Sequence, residues 1–191
     1  MSDASDAPAR EVRFSLFIPQ MRMSFDTIIE RVRAAEAAGF DGVALMDHLA
    51  PPGLPGADMY DGFVTAAALA MSTERLRICH LVACASFRHP AVLTRMAVSL
   101  DHLSGGRFDL GIGWGSVPDE LDRFDVHPEP PSVRSRRLAE TLDIFERLCT
   151  GEPVDHDGEF WHLRNAQQRP VPVNGRIPVL IGGGGPKLTM P

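Results

Sequence analysis

Along the chain, short apolar runs alternate with longer stretches in which apolar side chains recur every three or four residues. The short runs suit strands buried on both faces, and the longer period suits amphipathic helices. Residues 13–19 (R-F-S-L-F-I-P) read as a first strand. Ser24 then caps a helix running to Ala38, with Phe25, Ile28, Ile29 and Val32 on one stripe and Gly39 as its stop. Residues 41–47 form a second strand, followed by a Pro/Gly-rich loop and an Ala-rich helix near Gly62–Ser72. Residues 76–85 read as a third strand. Pro90 opens the next helix and Gly105 closes it, with Val92, Leu93, Met96, Leu100 and Leu103 as its buried stripe. A fourth strand at 107–112 leads into G-I-G-W-G, and a polar loop is expected up to Ser132. A helix follows with Leu138, Leu142, Phe145 and Leu148 inward, stopped by Gly151. Asp157-Gly158 marks a hairpin, and residues 178–181 are the fifth core strand.

This β-α order predicts parallel strands joined by right-handed crossovers. From the pattern alone, a doubly wound open sheet and a (β/α)8 TIM barrel both remain open. The barrel typically needs about 250 residues, and this chain has 191. No repeat or linker divides it, so residues 13–191 read as one domain after a disordered lead-in at 1–12.

Composition narrows the function. Hydrophobic residues make up 44% and charged residues 23%, ordinary for a globular protein. A net charge of -6 argues against a nucleic-acid partner, and no apolar run approaches a membrane span. The N-terminus lacks the pattern of a signal peptide. Cys79, Cys84 and Cys149 lie in apolar segments and read as reduced thiols of a cytoplasmic protein.

Three segments carry candidate chemistry. Asp47-His48 falls where the second strand ends, the end at which parallel α/β folds bind ligands. The turn at 111–115 has Ser116 where a dinucleotide fingerprint needs its third glycine. Gly182, Gly183, Gly184 and Gly185 follow the fifth strand as a backbone nest suited to an anion, a phosphate above all, but they do not make a Walker motif. Metal-binding His/Cys spacing and a G-x-S-x-G elbow are both absent from the sequence. His102 beside Asp101 reads as structural, Met71 and Met96 as core filler, and Arg134, Arg136 and Arg137 as a solvated helix face.

Several motifs in order carry a family resemblance: A-A-E-A-A-G-F-D-G-V before M-D-H, then F-R-H-P-A, L-D-H-L-S-G-G-R-F-D-L-G-I-G-W-G, T-G-E-P-V-D-H-D-G-E-F-W and P-V-L-I-G-G-G-G. Over residues 14–185 the chain resembles the luciferase-like monooxygenases, TIM-barrel oxidoreductases that use FMN or the deazaflavin coenzyme F-420. The resemblance selects the barrel. It implies that His48 lies beside the flavin ring, that Leu81-Val82 is a cis-peptide bulge behind it, that residues from Ala83 to Ser86 line the ring's edge, and that the 182–185 glycines hold phosphate. Where the dehydrogenase branch has a Trp four residues after the His, this chain has Pro52. Ser116 replaces that branch's Glu, which argues against a sugar-phosphate dehydrogenase, and Asp119 and Glu120 are left as nearby carboxylates without an assigned place. Cys79-His80 stands where relatives often carry Gly-Thr.

Relatives continue through three more strands, so the resemblance implies a barrel truncated after its fifth strand, with open edges that invite pairing into a homo-oligomer. Two chemistries follow. One is oxygenation of a small organic substrate with reduced FMN, partnered by a separate flavin reductase. The other is hydride transfer from reduced deazaflavin to an unsaturated or carbonyl substrate. A non-catalytic remnant is the contrasting expectation. A Rossmann-type NAD enzyme is disfavoured by Pro19-Gln20-Met21, where a glycine turn should stand.

Overall fold

The computed structural model describes residues 12–54 and 56–183. The chain runs β1 (Ser15–Phe17), α1 (Phe25–Ala37), β2 (Gly42–Leu45), α2 (Gly62–Ser72), β3 (Arg77–His80), β4 (Ala83–Cys84), a 3-10 turn (Ala85–Phe87), α3 (Pro90–Leu103), β5 (Phe108–Gly113), α4 (Pro118–Arg123), α5 (Pro131–Cys149), β6 (Val154–Asp157), β7 (His162–Ala166) and β8 (Val179–Ile181). All pairings of the main sheet are parallel, in the order β1-β2-β3-β5, with β4 continuing beside β5 beyond β3 and β8 on the other flank of β5. Antiparallel β6 and β7 form a separate hairpin.

The helices begin where local chemistry starts them. The Ser24 side chain accepts from the N–H of Thr27, Asp61 accepts from Val64, and His89 accepts from Ala91 just before Pro90. Alternation along the strands then decides the two faces of the sheet. Val43, Leu45, Ile78, Phe108, Leu110 and Ile112 point toward the helices and join Ile28, Val32, Leu69 and Leu93 in one core. Ser15, Phe17, Arg77, Cys79 and Asp109 fall on the opposite, inner face, where Arg77 and Asp109 form an ion pair across neighbouring strands. That face is open: Phe17 is 43% and Leu180 52% exposed.

At the amino ends of the strands, the Arg107 guanidinium donates to the carbonyls of Ala70, Thr73 and Leu76. It thereby satisfies acceptors that the end of α2 leaves unpaired. His102 holds the carbonyl of Val171 at 2.8 Å, and Asp101 accepts from the N–H of Val173 at 2.7 Å, so this pair is structural as expected.

The structure corrects several expectations. The third strand is two, β3 and β4, interrupted by a cis peptide bond at Leu81-Val82. The polar loop before Ser132 contains α4. Val92 and Leu103 are exposed, because the buried side of α3 is completed by Val98 and by Thr94, Ala97 and Asp101, the last three small or polar residues that a count of bulky apolar positions passes over. Met71 is exposed, not core filler. Arg134 and Arg137 are buried; Arg136 alone behaves as a surface residue, paired with Glu159. The hairpin turns through 158–161, closed by Gly158 N–H to the carbonyl of Trp161, so Asp157-Gly158 is not a two-residue turn. No helix among the described residues is long and apolar enough to cross a membrane.

His80 is the one wholly buried titratable ring of this core. It stacks on Phe63 with centroids 4.2 Å apart and meets Phe108 edge-on. Neither ring nitrogen has a hydrogen-bond partner. Burial pushes its pKa below the usual imidazole range. The unfolded chain therefore binds a proton first, near pH 6.5. Stability is full above that value and falls as pH drops through it toward the folded-state pKa, at up to about 1.4 kcal/mol per pH unit. His80→Phe should flatten this part of the stability–pH curve in chemical denaturation; an unchanged slope below pH 6.5 would assign the acid sensitivity to other groups.

Candidate functional site

The carboxyl ends of β2, β4, β5 and β8 converge on a cavity of about 450 Å³. Asp47 and His48 reach it from the end of β2, and Leu81, Val82, Ala83 and Cys84 from the interrupted third strand. Trp114 to Val117 come from the turn after β5, Glu120 and Leu121 from α4, and Gly182 and Gly183 from the end of β8.

Asp47 lines the cavity and builds its wall. Its carboxylate receives both Arg88 terminal nitrogens, at 2.6 and 2.8 Å, and the Cys84 N–H at 2.9 Å. The guanidinium also lies over the Phe63 ring, 4.4 Å from its centroid. A bidentate pair of this kind fixes both distance and plane. It ties the end of β2 to β4 and to the segment entering α3.

His48 is held by a residue that the sequence left unplaced. Its Nδ1 lies 2.8 Å from Glu120 Oε2, while Glu120 Oε1 accepts the N–H of Leu49 at 2.6 Å and of Ala50 at 3.0 Å. Glu120 is 4% exposed, whereas the side chain of Asp119 is 80% exposed. The two carboxylates are adjacent in sequence, and only the way α4 packs separates them. A smaller cavity of about 260 Å³ adjoins the first and shares His48, Val117 and Glu120; Pro52 lines it.

The glycine turn after β5 depends on Arg134 and Arg137, two of the arginines expected on a solvated face. Gly115 has φ +93°, a conformation that suits glycine. Arg134 donates to the Gly115 carbonyl at 2.5 Å and to that of Glu129 at 2.9 Å, which clamps the turn. Arg137 pairs with Glu129 and lies over Phe160.

The expected glycine nest begins differently from its reading in sequence. The Gly182 N–H donates to the Ile112 carbonyl at 2.8 Å, so this donor belongs to the sheet. A Cβ at Gly182 would fall 2.6 Å from a methyl of Val82, and one at Gly113 would crowd the same side chain. These two glycines allow the strand ends to close on Val82. Gly183 lines the cavity; Gly184 and Gly185 lie outside the described residues. Ser86 is buried in the 3-10 turn and does not line the cavity. The Cys84 thiol does line it, and burial pushes its pKa up to about 11, so it stays protonated at neutral pH. Among the described residues, no group of His, Cys, Asp or Glu could hold a metal ion.

A family model described as luciferase-like monooxygenase matches residues 9–189. The chain belongs to the luciferase-like monooxygenase family. It is 34% identical over 156 residues to an F420-dependent glucose-6-phosphate dehydrogenase of Microbacterium testaceum, covering 81% of this chain and 46% of that protein. It is 40% identical over 118 residues to 4-hydroxyprotoasukamycin monooxygenase of Streptomyces nodosus subsp. asukaensis, covering 60% of this chain and 31% of that protein. An F420-dependent secondary alcohol dehydrogenase, solved with an F420-acetone adduct, superposes with a TM-score of 0.83 at 24% identity, over 93% of this chain and 54% of that one. The luciferase-like TIM-barrel fold is thus established, and the open sheet is its β/α winding. The chain spans about half the length of the curated relatives it matches.

Within this luciferase-like sheet, the Asp47–Arg88 clamp is expected to be a stability element. Asp47→Ala leaves the buried Arg88 with only the half-exposed Asp61 carboxylate, 3.6 Å away, and should cost about 3 kcal/mol in chemical denaturation. A loss below about 1 kcal/mol would show that the wall stands without it.

Proposed function

We propose that this chain carries the ring-binding part of a flavin- or deazaflavin-dependent oxidoreductase that acts on a small organic substrate. One observation carries the reading. His48, Leu81-Val82 and Gly183, separated by up to 135 positions in sequence, line a single cavity at the ligand-binding end of a parallel sheet. These are the positions that resemblance to the family assigns to the ring and to the phosphate.

The residues present fit such a cofactor. A cavity of about 450 Å³ lies within the ordinary range for ligand sites. Leu81, Val82 and Trp114 offer an apolar surface to a flat ring, with Ala83 wholly buried behind them, while His48 and Glu120 place polar atoms at its edge. His48 would hydrogen-bond the ring or move a proton at Nε2, and Val82 would support the ring from behind. Because the Gly182 N–H is committed to Ile112, the phosphate role falls to Gly183, Gly184 and Gly185. The protonated Cys84 thiol contributes bulk and no nucleophile. When bound, reduced FMN would supply oxygen-activating chemistry and reduced coenzyme F-420 a hydride; the chain's part is orientation and electrostatics.

The monooxygenase reading is favoured over a sugar-phosphate dehydrogenase by Pro52 and Ser116, which stand where that branch has Trp and Glu. It brings a separate flavin reductase as partner. A cytoplasmic setting accords with three free cysteines, and the open inner face accords with self-association. The contrasting reading, a remnant with no catalytic role, rests on that same open face.

Equilibrium titration of the purified chain with FMN and with coenzyme F-420, followed by fluorescence, tests the proposal. Saturable binding of one, weakened at least about tenfold by His48→Ala with the fold retained, is the expected result. Binding of neither would leave the cavity without its assigned role in this chain and favour the remnant.

A further inference from the structure

We propose that Glu120 is the positioning residue of this site. It holds the His48 ring in one orientation and one tautomer, with the proton on Nδ1 and with Nε2 left bare as the nitrogen that serves the cavity. The functional meaning of this assignment rests on the reading of His48 given above; its structural content rests on geometry alone.

The geometry leaves little freedom. Glu120 comes from α4 and His48 from the loop after β2, 72 residues earlier. Glu120 Oε1 is taken by two backbone donors, the N–H groups of Leu49 and Ala50, so Oε2 is the oxygen that meets Nδ1. An ionised carboxylate only accepts, and Nδ1 must then be the donor. A neutral imidazole with Nδ1 protonated has an unprotonated Nε2, able to take a proton or accept a hydrogen bond. One carboxylate therefore sets the tautomer and pins the loop that carries the ring. Turning the ring would sacrifice the Nδ1 bond while the loop stayed fixed.

Neighbouring groups do not compete for the role. The Asp47 carboxylate is saturated by Arg88 and the Cys84 N–H. Asp119 is turned to solvent and pairs with Arg123 at 3.3 Å. Leu121, 2% exposed, anchors α4 against the cavity and keeps Glu120 directed inward. The two adjoining cavities share His48 and Glu120, so the pair forms the partition between them.

A purely structural role would not need a carboxylate. The amide oxygen of a glutamine could accept the Leu49 and Ala50 N–H groups as well. What the carboxylate adds is a second acceptor, facing Nδ1; a glutamine that keeps its oxygen on those N–H groups turns its NH2 toward Nδ1, which must then accept, and the ring proton moves to Nε2. Glu120→Gln therefore separates positioning from scaffolding.

The experiment is long-range 1H–15N NMR of the imidazole groups in the purified chain near neutral pH, with the His48 signals identified by their loss in His48→Ala. The expected result is an Nδ1–H tautomer favoured by at least about tenfold, and a preference reduced at least about tenfold in Glu120→Gln, whose chemical denaturation midpoint stays close to that of the unsubstituted chain. A dominant Nε2–H tautomer or an even mixture in the unsubstituted chain, or an unchanged preference in Glu120→Gln, would overturn the proposal. Should Glu120→Gln fail to fold, the tautomer of the unsubstituted chain still decides. An Nδ1–H tautomer in a chain that binds neither FMN nor coenzyme F-420 would support the positioning role while removing the flavin reading.

Discussion

A carboxylate taken out of water must find partners, and Asp47, 3% exposed, finds all of them in one place. Arg88 supplies a bidentate guanidinium and Cys84 a backbone N–H. Satisfying one buried charge brings the end of β2 against β4 and fixes where the chain turns into α3. The remaining parts of the site inherit their positions from that contact. His48 follows Asp47 directly, Ala83 and Cys84 form the wall opposite, and Phe63 carries the guanidinium on one side of the core while His80 stacks against the same ring. Electrostatics and packing are thus the same object viewed from two sides.

The alternation of elements was legible because it rests on local chemistry. Ser24 and Pro90 start helices just before an apolar stripe, and short buried runs make parallel strands. The position of His48 at a strand end was legible for the same reason. Choosing a barrel over an open sheet was not a matter of periodicity; it came from the order of several motifs. What periodicity missed had nonlocal causes. Arg134 and Arg137 look like surface residues until the turn carbonyls and Glu129 fold over them. Glu120 and Asp119 are indistinguishable in sequence, and only the packing of Leu121 selects between them. Gly182 reads as ligand-binding, whereas its nearest constraint, like that of Gly113 in the turn after β5, is the side chain of Val82.

The inner face of the sheet carries two kinds of residue. Arg77 and Asp109 satisfy one another near its lower end, while Phe17 and Leu180 expose apolar surface. Closed TIM barrels fill this volume with side chains from all eight strands. The cavity at the upper end is different in kind, because its walls are complete on the sides built by β2, β4, β5 and α4. A ring could be gripped there by groups that are already held by their own hydrogen bonds. Such preorganisation reduces the ordering cost of binding.

The close approach of Val82 and Gly182 has a consequence for how such a chain can change over time. The two positions are 100 residues apart, yet they draw on one volume. A side chain gained at 182 has room only if 82 first gives up its methyl groups. The route to any larger residue there passes through a smaller intermediate at 82, and the reverse order meets a clash. The pair evolves with a required sequence of steps, and a library that varies 182 alone meets the Val82 side chain at every residue other than glycine.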